Sequence, residues 1–489
     1  MTFALRPYQD DLIAQSRALL RRHDSVLLQA PTGAGKTALA AYMLGSASSR
    51  GRHCWFICHR AELVEQTGET FDRVGIPYGY IAAGKPLNPY MPVQICSIDT
   101  LKGRIGRYKL PDLIVWDEAH HTAAAGWRKV KDANPQAKHV GLSATPERLD
   151  GKGLDDLFSA MVPGPSVSWL IEQGFLSRYR AFAPPPPDLS GLHTRMGDFV
   201  RSENEAAMDK PTITGDAIAH YLRLARGKSA VAFCVSVKHS QHVAEQFRAA
   251  GIVAVHLDGN TPALERRNAV SAFRRGEIKV LTNVDLFGEG FDLPSLEVSI
   301  LLRPTQSLSL YLQQVGRALR VSEGKEQAII LDHAGNIDRH GLPHDDREWT
   351  LEGRKKRKSG AGAEAGPPVR QCPKCYAAHS PAPKCPECGH VYVVQARAPE
   401  VVDAELVEVD LEAARKVRLQ EQRECQSLGE LIDLGKQRSY KKPVHWAAHY
   451  HSARKGKEAT IGELIRWASA QGKPEPAKFA AWVMSGVMR

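Results

Sequence analysis

The sequence predicts an α/β protein with two tandem domains, each built on a parallel sheet. A small four-cysteine module and a mostly helical tail follow. Three observations predict this. Short β-rich runs alternate with helical stretches over two spans, Ser25 to about Pro165 and Ala230 to Leu331, and strands at that spacing imply βαβ units. A proline run, Pro184-Pro185-Pro186-Pro187, separates the spans. Four of the nine cysteines cluster beyond the second span, as Cys372, Cys375, Cys385 and Cys388. The expected organisation is a first domain over residues 1–183, a second over 184–350, a basic flexible linker over 351–369, the cysteine module over 370–392 and a helical region over 393–489. A chain of 489 residues accommodates about three domains of ~150 residues.

The first-span strands are Val26-Leu27-Leu28, Cys54–Cys58, Val93–Cys96, Leu113–Trp116 and His139–Leu142; the second-span strands are Ala230–Val235, Val253–His256, Lys279–Thr282, Ser299–Leu302 and Ala328–Leu331. Cys54, Cys58, Cys96 and Cys234 lie in or beside these apolar runs and read as small buried hydrophobes. Composition, at 43% hydrophobic and 24% charged, excludes a disordered or collagen-like chain. No apolar run reaches the ~18 residues of a membrane span. The N-terminus meets Asp10 and Asp11 too soon for a signal-peptide core. The expected location is therefore cytoplasmic, or nuclear if the source is eukaryotic. The net charge of +11 points to an anionic partner. It is unevenly placed: residues 351–489 hold 24 Lys and Arg against 16 Asp and Glu, and the first 350 hold 41 against 38.

Ala30-Pro31-Thr32-Gly33-Ala34-Gly35-Lys36-Thr37 joins the first strand to a run of helix formers. Glycines let backbone N–H groups close around phosphates, and the helix N-terminus adds a favourable dipole. Ala30 stands where the phosphate-loop pattern has its first glycine, so Gly33 and Gly35 carry the flexibility. In this context Lys36 is placed to reach the β- and γ-phosphates of a nucleotide and the Thr37 hydroxyl to ligate Mg²⁺. Leu113–Trp116 is a buried-strand pattern ending in Asp117-Glu118. Asp117 can hold Mg²⁺ and Glu118 can orient and deprotonate an attacking water, the two functions phosphoryl transfer requires.

With these residues in place, the chain over roughly 1–350 resembles the superfamily 2 helicases and translocases, DEAD/DEAH-box motors built from two RecA-like domains. Asp117-Glu118-Ala119-His120 resembles motif II, Cys58-His59-Arg60-Ala61-Glu62-Leu63 motif Ia, Ser97–Leu101 motif Ib, and Ser143-Ala144-Thr145 motif III. Leu281–Asp292 resembles motif V and Gln313–Arg320 motif VI. Leu5-Arg6-Pro7-Tyr8-Gln9 is similar to the element that contacts adenine. The resemblance implies ATP and Mg²⁺ as cofactors. It implies nucleotide contacts from Arg6, Gln9, Thr32, Gly33, Ala34, Gly35, Lys36, Thr37, Gly290, Asp292 and Gln313, coupling through His120, Ser143 and Thr145, and nucleic-acid contacts from Arg60, Thr100 and Thr282. Arg317 and Arg320 are expected as arginine fingers from the second domain, since guanidinium groups match phosphate oxygens bidentately. His120-His121, Thr145–Leu154 and Asp332-His333-Ala334-Gly335-Asn336 resemble the bacterial and phage branch related to XPB and UvsW, which works mostly on duplex and branched DNA.

Cys372-x₂-Cys375 and Cys385-x₂-Cys388 can place four thiolates tetrahedrally around Zn²⁺, with Pro373 and Pro386 stiffening the turns. An iron–sulfur site is the weaker alternative. Four thiolates leave no open position, so the role is structural; whether this zinc ribbon also grips DNA or a protein partner stays open. Arg354–Lys358 is either a phosphate-tracking run or a solvated linker. Trp446, Trp467 and Trp482 sit at helical spacing, which favours the core of a small helical domain over base stacking. The expected function is an ATP-dependent DNA helicase or translocase, with no membrane partner. The alternatives are an RNA helicase, the motor subunit of a restriction system, or a zinc-ribbon nucleic-acid-binding adaptor with an inactive ATPase fold.

Overall fold

Seven strands form the first sheet: β1 (Ser25–Gln29), β2 (Cys54–Cys58), β3 (Tyr78–Ile81), β4 (Val93–Ser97), β5 (Leu113–Trp116), β6 (Lys138–Ser143) and β7 (Ala160–Val162). All pair in parallel, in the order β3-β4-β2-β5-β6-β1-β7. The computed structural model describes residues 4–148, 152–185, 187–195, 197–287, 296–353, 369–392 and 411–487. The strand residues are apolar on both faces because both faces are covered. Val26, Leu28, Phe56 and Val115 pack into one core with Leu39, Leu44 and Phe71 of the flanking helices. Leu27, Trp55, Ile57 and Trp116 point the other way, into a second core with Ile98 and Trp127. Cys54, Cys58, Cys96 and Cys234 are buried, as the sequence predicts, and burial drives their thiol pKa values upward.

The second sheet is also parallel. Its strands are β8 (Tyr179–Phe182), β11 (Ala230–Phe233), β12 (Ala254–Leu257), β13 (Val280–Asn283), β14 (Val298–Leu301) and β15 (Ala328–Asp332), in the order β12-β13-β11-β14-β15-β8. Between β8 and β11 lies a small antiparallel hairpin, β9 (Thr194–Arg195) with β10 (Asp198–Phe199). Strand β8 corrects the expected boundary after residue 183. Its four residues pair with β15, so the second lobe begins before the proline run. Proline marks where a strand stops, not where a domain starts. After the second lobe the chain returns to the first, where Leu154 N–H donates to Leu351 O at 2.7 Å.

The cysteine module, with strands β16 (Arg370–Gln371) and β17 (Ala378–His379), is fused to the second sheet. Phe182 bridges to Ala377, Ala183 N–H donates to Tyr376 O at 2.8 Å, and Arg180 Nε donates to Glu387 at 2.7 Å. Cys372, Ala377 and Cys385 share one core with Phe182, Ile329 and Leu331. The basic run Arg354–Lys358 lies outside the described residues.

The described residues 411–487 form a separate unit. Helices Leu428–Gln437, Pro443–Lys455, Lys457–Ala470 and Pro476–Val487 pack around Leu431, Ile432, Ala448, Leu464 and Val483. Trp446 and Trp467 join this core, but Trp482 is 58% exposed, a correction to the three-tryptophan core expected. Its helix turns Ala480, Val483 and Met484 inward, which leaves position 482 on the outer face. No described helix is long and apolar enough to cross a membrane.

Candidate nucleotide site and metal centre

The phosphate loop leaves β1, the acidic pair leaves β5, and Ser143 ends β6, which lies between them. Three motifs far apart in sequence therefore share the carboxyl edge of three adjacent strands, the usual ligand edge of a parallel sheet. Gly33 and Gly35 hold φ of +90° and +84°. A Cβ on Gly33 would sit 2.8 Å from Leu176, and one on Gly35 would sit 2.5 Å from the Gln9 amide. Both positions need glycine for conformation and for space. Lys36 starts the helix Lys36–Ser48, and its Nζ lies 3.0 Å from Glu118 Oε1.

Glu118 is buried and held in the left-handed region, at φ 47° and ψ 58°. A non-glycine residue there stores ~1–3 kcal/mol, a strain typical of working sites. Burial first, and then the neighbouring Glu118, push Asp117 up to about 6, while Lys36 and His59 pull the other way. Burial and the adjacent carboxylate both disfavour charge on Asp117, and a divalent cation held there would favour it. A cavity of ≈ 410 Å³ opens over Gly33, Gly35, Lys36, Thr37, Asp117 and Glu118. The second lobe closes it with Arg274, Gln313, Arg317 and Arg320. Among the described residues, Thr32 Oγ1 and Gln313 Nε2 are buried without a hydrogen-bond partner. Size, orphaned donors and charge fit a nucleotide triphosphate with its metal.

Other expected residues serve the site indirectly. Gln9 Nε2 and Tyr8 Oη both donate to Ala34 O, at 3.0 and 2.7 Å, so they brace the phosphate loop. The Arg6 guanidinium lies 4.9 Å over the Phe175 ring, which packs on Tyr8 and Trp169. His120 Nδ1 lies 3.3 Å from Ser143 Oγ and 3.6 Å from Glu118. Ser143 Oγ donates to Thr145 O at 2.7 Å, and Thr145 Oγ1 donates to Ser309 Oγ of the second lobe at 2.6 Å.

The nucleic-acid residues divide. Thr100 Oγ1 accepts from Ala83 N–H at 3.1 Å. Arg60 Nη1 donates to the backbone oxygens of Asp285 and Leu286 in the second lobe, at 2.8 and 3.3 Å. Thr282 is a correction: it is fully buried in β13 and bonded to Ser240, because that strand is central and covered on both faces. Gly290 and Asp292 lie outside the described residues. Sequence reasoning missed Phe175, Leu176, Arg274 and Ser309. None belongs to a recognisable string, and only the fold brings them to the site.

The metal centre is built from two matching turns. In each, the residue four after the first cysteine has positive φ (Tyr376 63°, Gly389 67°) and donates its N–H to that cysteine's carbonyl, at 2.8 and 3.0 Å. The four sulfurs lie within 4.8 Å of one another, with Cys372–Cys388 at 3.6 Å and Cys375–Cys385 at 3.7 Å. A tetrahedron with ~2.3 Å metal–sulfur arms has edges of ~3.8 Å, so the site fits a four-thiolate metal.

Two parallel-sheet lobes with a phosphate loop, an acidic strand end and lobe-two arginines on one cavity define an ATP-hydrolysing motor. The comparisons agree. The family model described as "Type III restriction enzyme, res subunit" matches residues 2–148, and "Helicase conserved C-terminal domain" matches 214–322. A 51.5 kDa protein of a Lactococcus phage is 37% identical over 353 residues, 72% of this chain and 74% of that protein. A Saccharomyces cerevisiae protein named as an ATP-dependent helicase, IRC3, is 28% identical over 362 residues, 68% of this chain but only 51% of that protein. A fragment of a type I restriction-enzyme HsdR subunit from Vibrio vulnificus matches in fold, with TM-score 0.53 and 23% identity over 68% of this chain and 64% of that one. The chain belongs to the superfamily 2 helicases.

Proposed function

We propose that this chain couples ATP hydrolysis between its two lobes to movement on, or remodelling of, DNA. The observation that carries the reading is convergence on one cavity. Lys36 and Glu118 come from the first lobe, and Gln313, Arg317 and Arg320 from the second. In this reading the loop amides and Lys36 hold the triphosphate, and Glu118 positions water and takes its proton. On nucleotide binding Lys36 exchanges its ion pair with Glu118 for phosphate oxygens, which frees the carboxylate to act as that base. Thr37 and Asp117 would hold Mg²⁺, which neutralises developing phosphate charge when bound. Arg317 and Arg320 serve as fingers, a contribution of ~10³–10⁵ in rate. Because they belong to the other lobe, turnover requires the lobes together, and product release lets them part. His120, Ser143 and Thr145 couple that motion to the chemistry. The four cysteines hold structural Zn²⁺.

The likeness to restriction-enzyme motors supports DNA over RNA. The same likeness favours a second reading, a restriction motor whose nuclease is supplied by a partner. The test is ATPase turnover with single-stranded, duplex and forked DNA and with RNA. DNA should stimulate turnover, and Lys36→Ala and Glu118→Gln should each abolish it while nucleic-acid binding is kept. A response to RNA alone, or wild-type turnover in Glu118→Gln, overturns the reading.

A further inference from the structure

The helical unit over residues 411–487 carries 14 Lys and Arg against 8 Asp and Glu. On one part of it three rings lie in a row, with half-buried Phe479 and His445 on either side of exposed Trp482. Lys473 Nζ lies 5.8 Å over the Phe479 ring. Phe479 lies 5.9 Å from Trp482, and Trp482 lies 4.7 Å from His445, edge to face. Lys442 caps the start of the His445 helix, three residues before the imidazole, whose pKa is lowered by burial first and then by Lys442. The row thus has a lysine at each end, two aromatic rings and an imidazole between them, and one indole more than half open to solvent. Lys478 lies one turn before Trp482 on the same helix and is paired with Glu475 at 2.6 Å.

We infer that this row is a second nucleic-acid site, outside the motor lobes, on which an unpaired base of single-stranded DNA stacks against Trp482 while Lys442 and Lys473 take the flanking phosphates. The chemistry selects this occupant. A protein partner seated on an exposed indole favours an apolar surround, whereas here lysines flank the rings. Duplex bases keep their faces stacked on one another, so a stacking platform distinguishes unpaired strands. The inference rests on the nucleic-acid reading above only in its choice of DNA.

The test is fluorescence anisotropy of the full chain, without nucleotide, on labelled oligothymidine, oligouridine and blunt duplex. Trp482→Ala should weaken oligothymidine binding about five-fold or more, the lower end of the usual stacking contribution. Trp482→Phe should keep most of the affinity, and duplex binding should be unchanged. Lys442→Ala with Lys473→Ala should lower the slope of log affinity against log salt by about 0.7 for each lysine. Equal oligothymidine affinity in wild type and Trp482→Ala overturns the inference. So does an equal loss on duplex, or a loss confined to oligouridine. The motor is scored separately by ATPase turnover at saturating DNA. Stimulated turnover with unaltered binding in Trp482→Ala sinks this site alone, and lost binding in a chain without DNA-stimulated turnover sinks the motor reading alone.

Discussion

At Gly316 the second lobe abuts Thr32 of the phosphate loop. A Cβ built there would stand 2.6 Å from Thr32 Cβ and 2.9 Å from Thr32 Cγ2. Carbon atoms in contact sit ~3.5–4.0 Å apart, so Gly316→Ala demands about 1 Å of separation. Thr32 belongs to the phosphate loop and cannot yield without moving Gly33, whose own surroundings are filled by Leu176 and Arg320. The lobes must part instead, and Arg317, the next residue on the helix Leu308–Ala318, parts with them. A misplacement of 1 Å at a reacting centre can cost ~10²-fold, so kcat of the DNA-stimulated ATPase should fall by about that factor, or ~2.7 kcal/mol. Folding should not suffer, because alanine is a better helix former than glycine by about 1 kcal/mol. The assay pairs steady-state turnover with thermal melting. Turnover should collapse at an unchanged or raised Tm, and Thr32→Gly in the same chain should restore part of it. Wild-type turnover in Gly316→Ala would refute the argument that this contact sets the reach of the fingers.

Two further outcomes follow from packing and protonation. Because Cys372 and Cys385 share a core with Phe182 and Leu331, removing zinc or making Cys375→Ser should lower the melting temperature of the second lobe by roughly 5 °C or more; elemental analysis should find one zinc per chain, and an unchanged melt in zinc-free protein would contradict the fusion. His333 is buried against His220, with ring centroids 5.1 Å apart, and burial followed by His220 takes its pKa down to about 3. A folded pKa below the unfolded ~6.5 contributes stability that is present above that value and drains as pH falls. Wild type should therefore lose ~2 kcal/mol more than His333→Phe between about pH 7 and pH 5, read from denaturant melts; equal losses would show that His333 is not buried neutral.

What the sequence disclosed is what chemistry writes in contiguous residues. The phosphate loop, Asp117-Glu118, Gln313 to Arg320 and the paired cysteine turns are legible because backbone amides, metal ligands and a helix face each need fixed short spacings. The parallel sheets are legible because strands covered on both faces must be apolar throughout. What stayed hidden depends on tertiary placement. Strand β8 is four residues with an arginine among them, and nothing local says that Tyr179–Phe182 is a strand of the later sheet. Thr282 carries a motif's threonine, yet its side chain is spent on Ser240 inside the sheet. Trp482 has helical spacing, but spacing does not say which way a face points in a small bundle.

The contacts across the lobes share one lever. Ser309, Gln313 and Arg317 recur every four residues along the helix Leu308–Ala318, so they lie on one face. Ser309 accepts from Thr145, and through Ser143 and His120 that contact leads back to Glu118. Gln313 and Arg317 face the nucleotide cavity. A rigid shift of this helix large enough to withdraw Arg317 must also break the 2.6 Å bond between Ser309 and Thr145. Conversely, a change in how Glu118 holds His120 reaches the same helix by the polar chain. Two separate points of the active site thus act on one element, so a second position of that helix would be felt at both, which is the physical requirement for chemistry at one end to be felt as motion at the other.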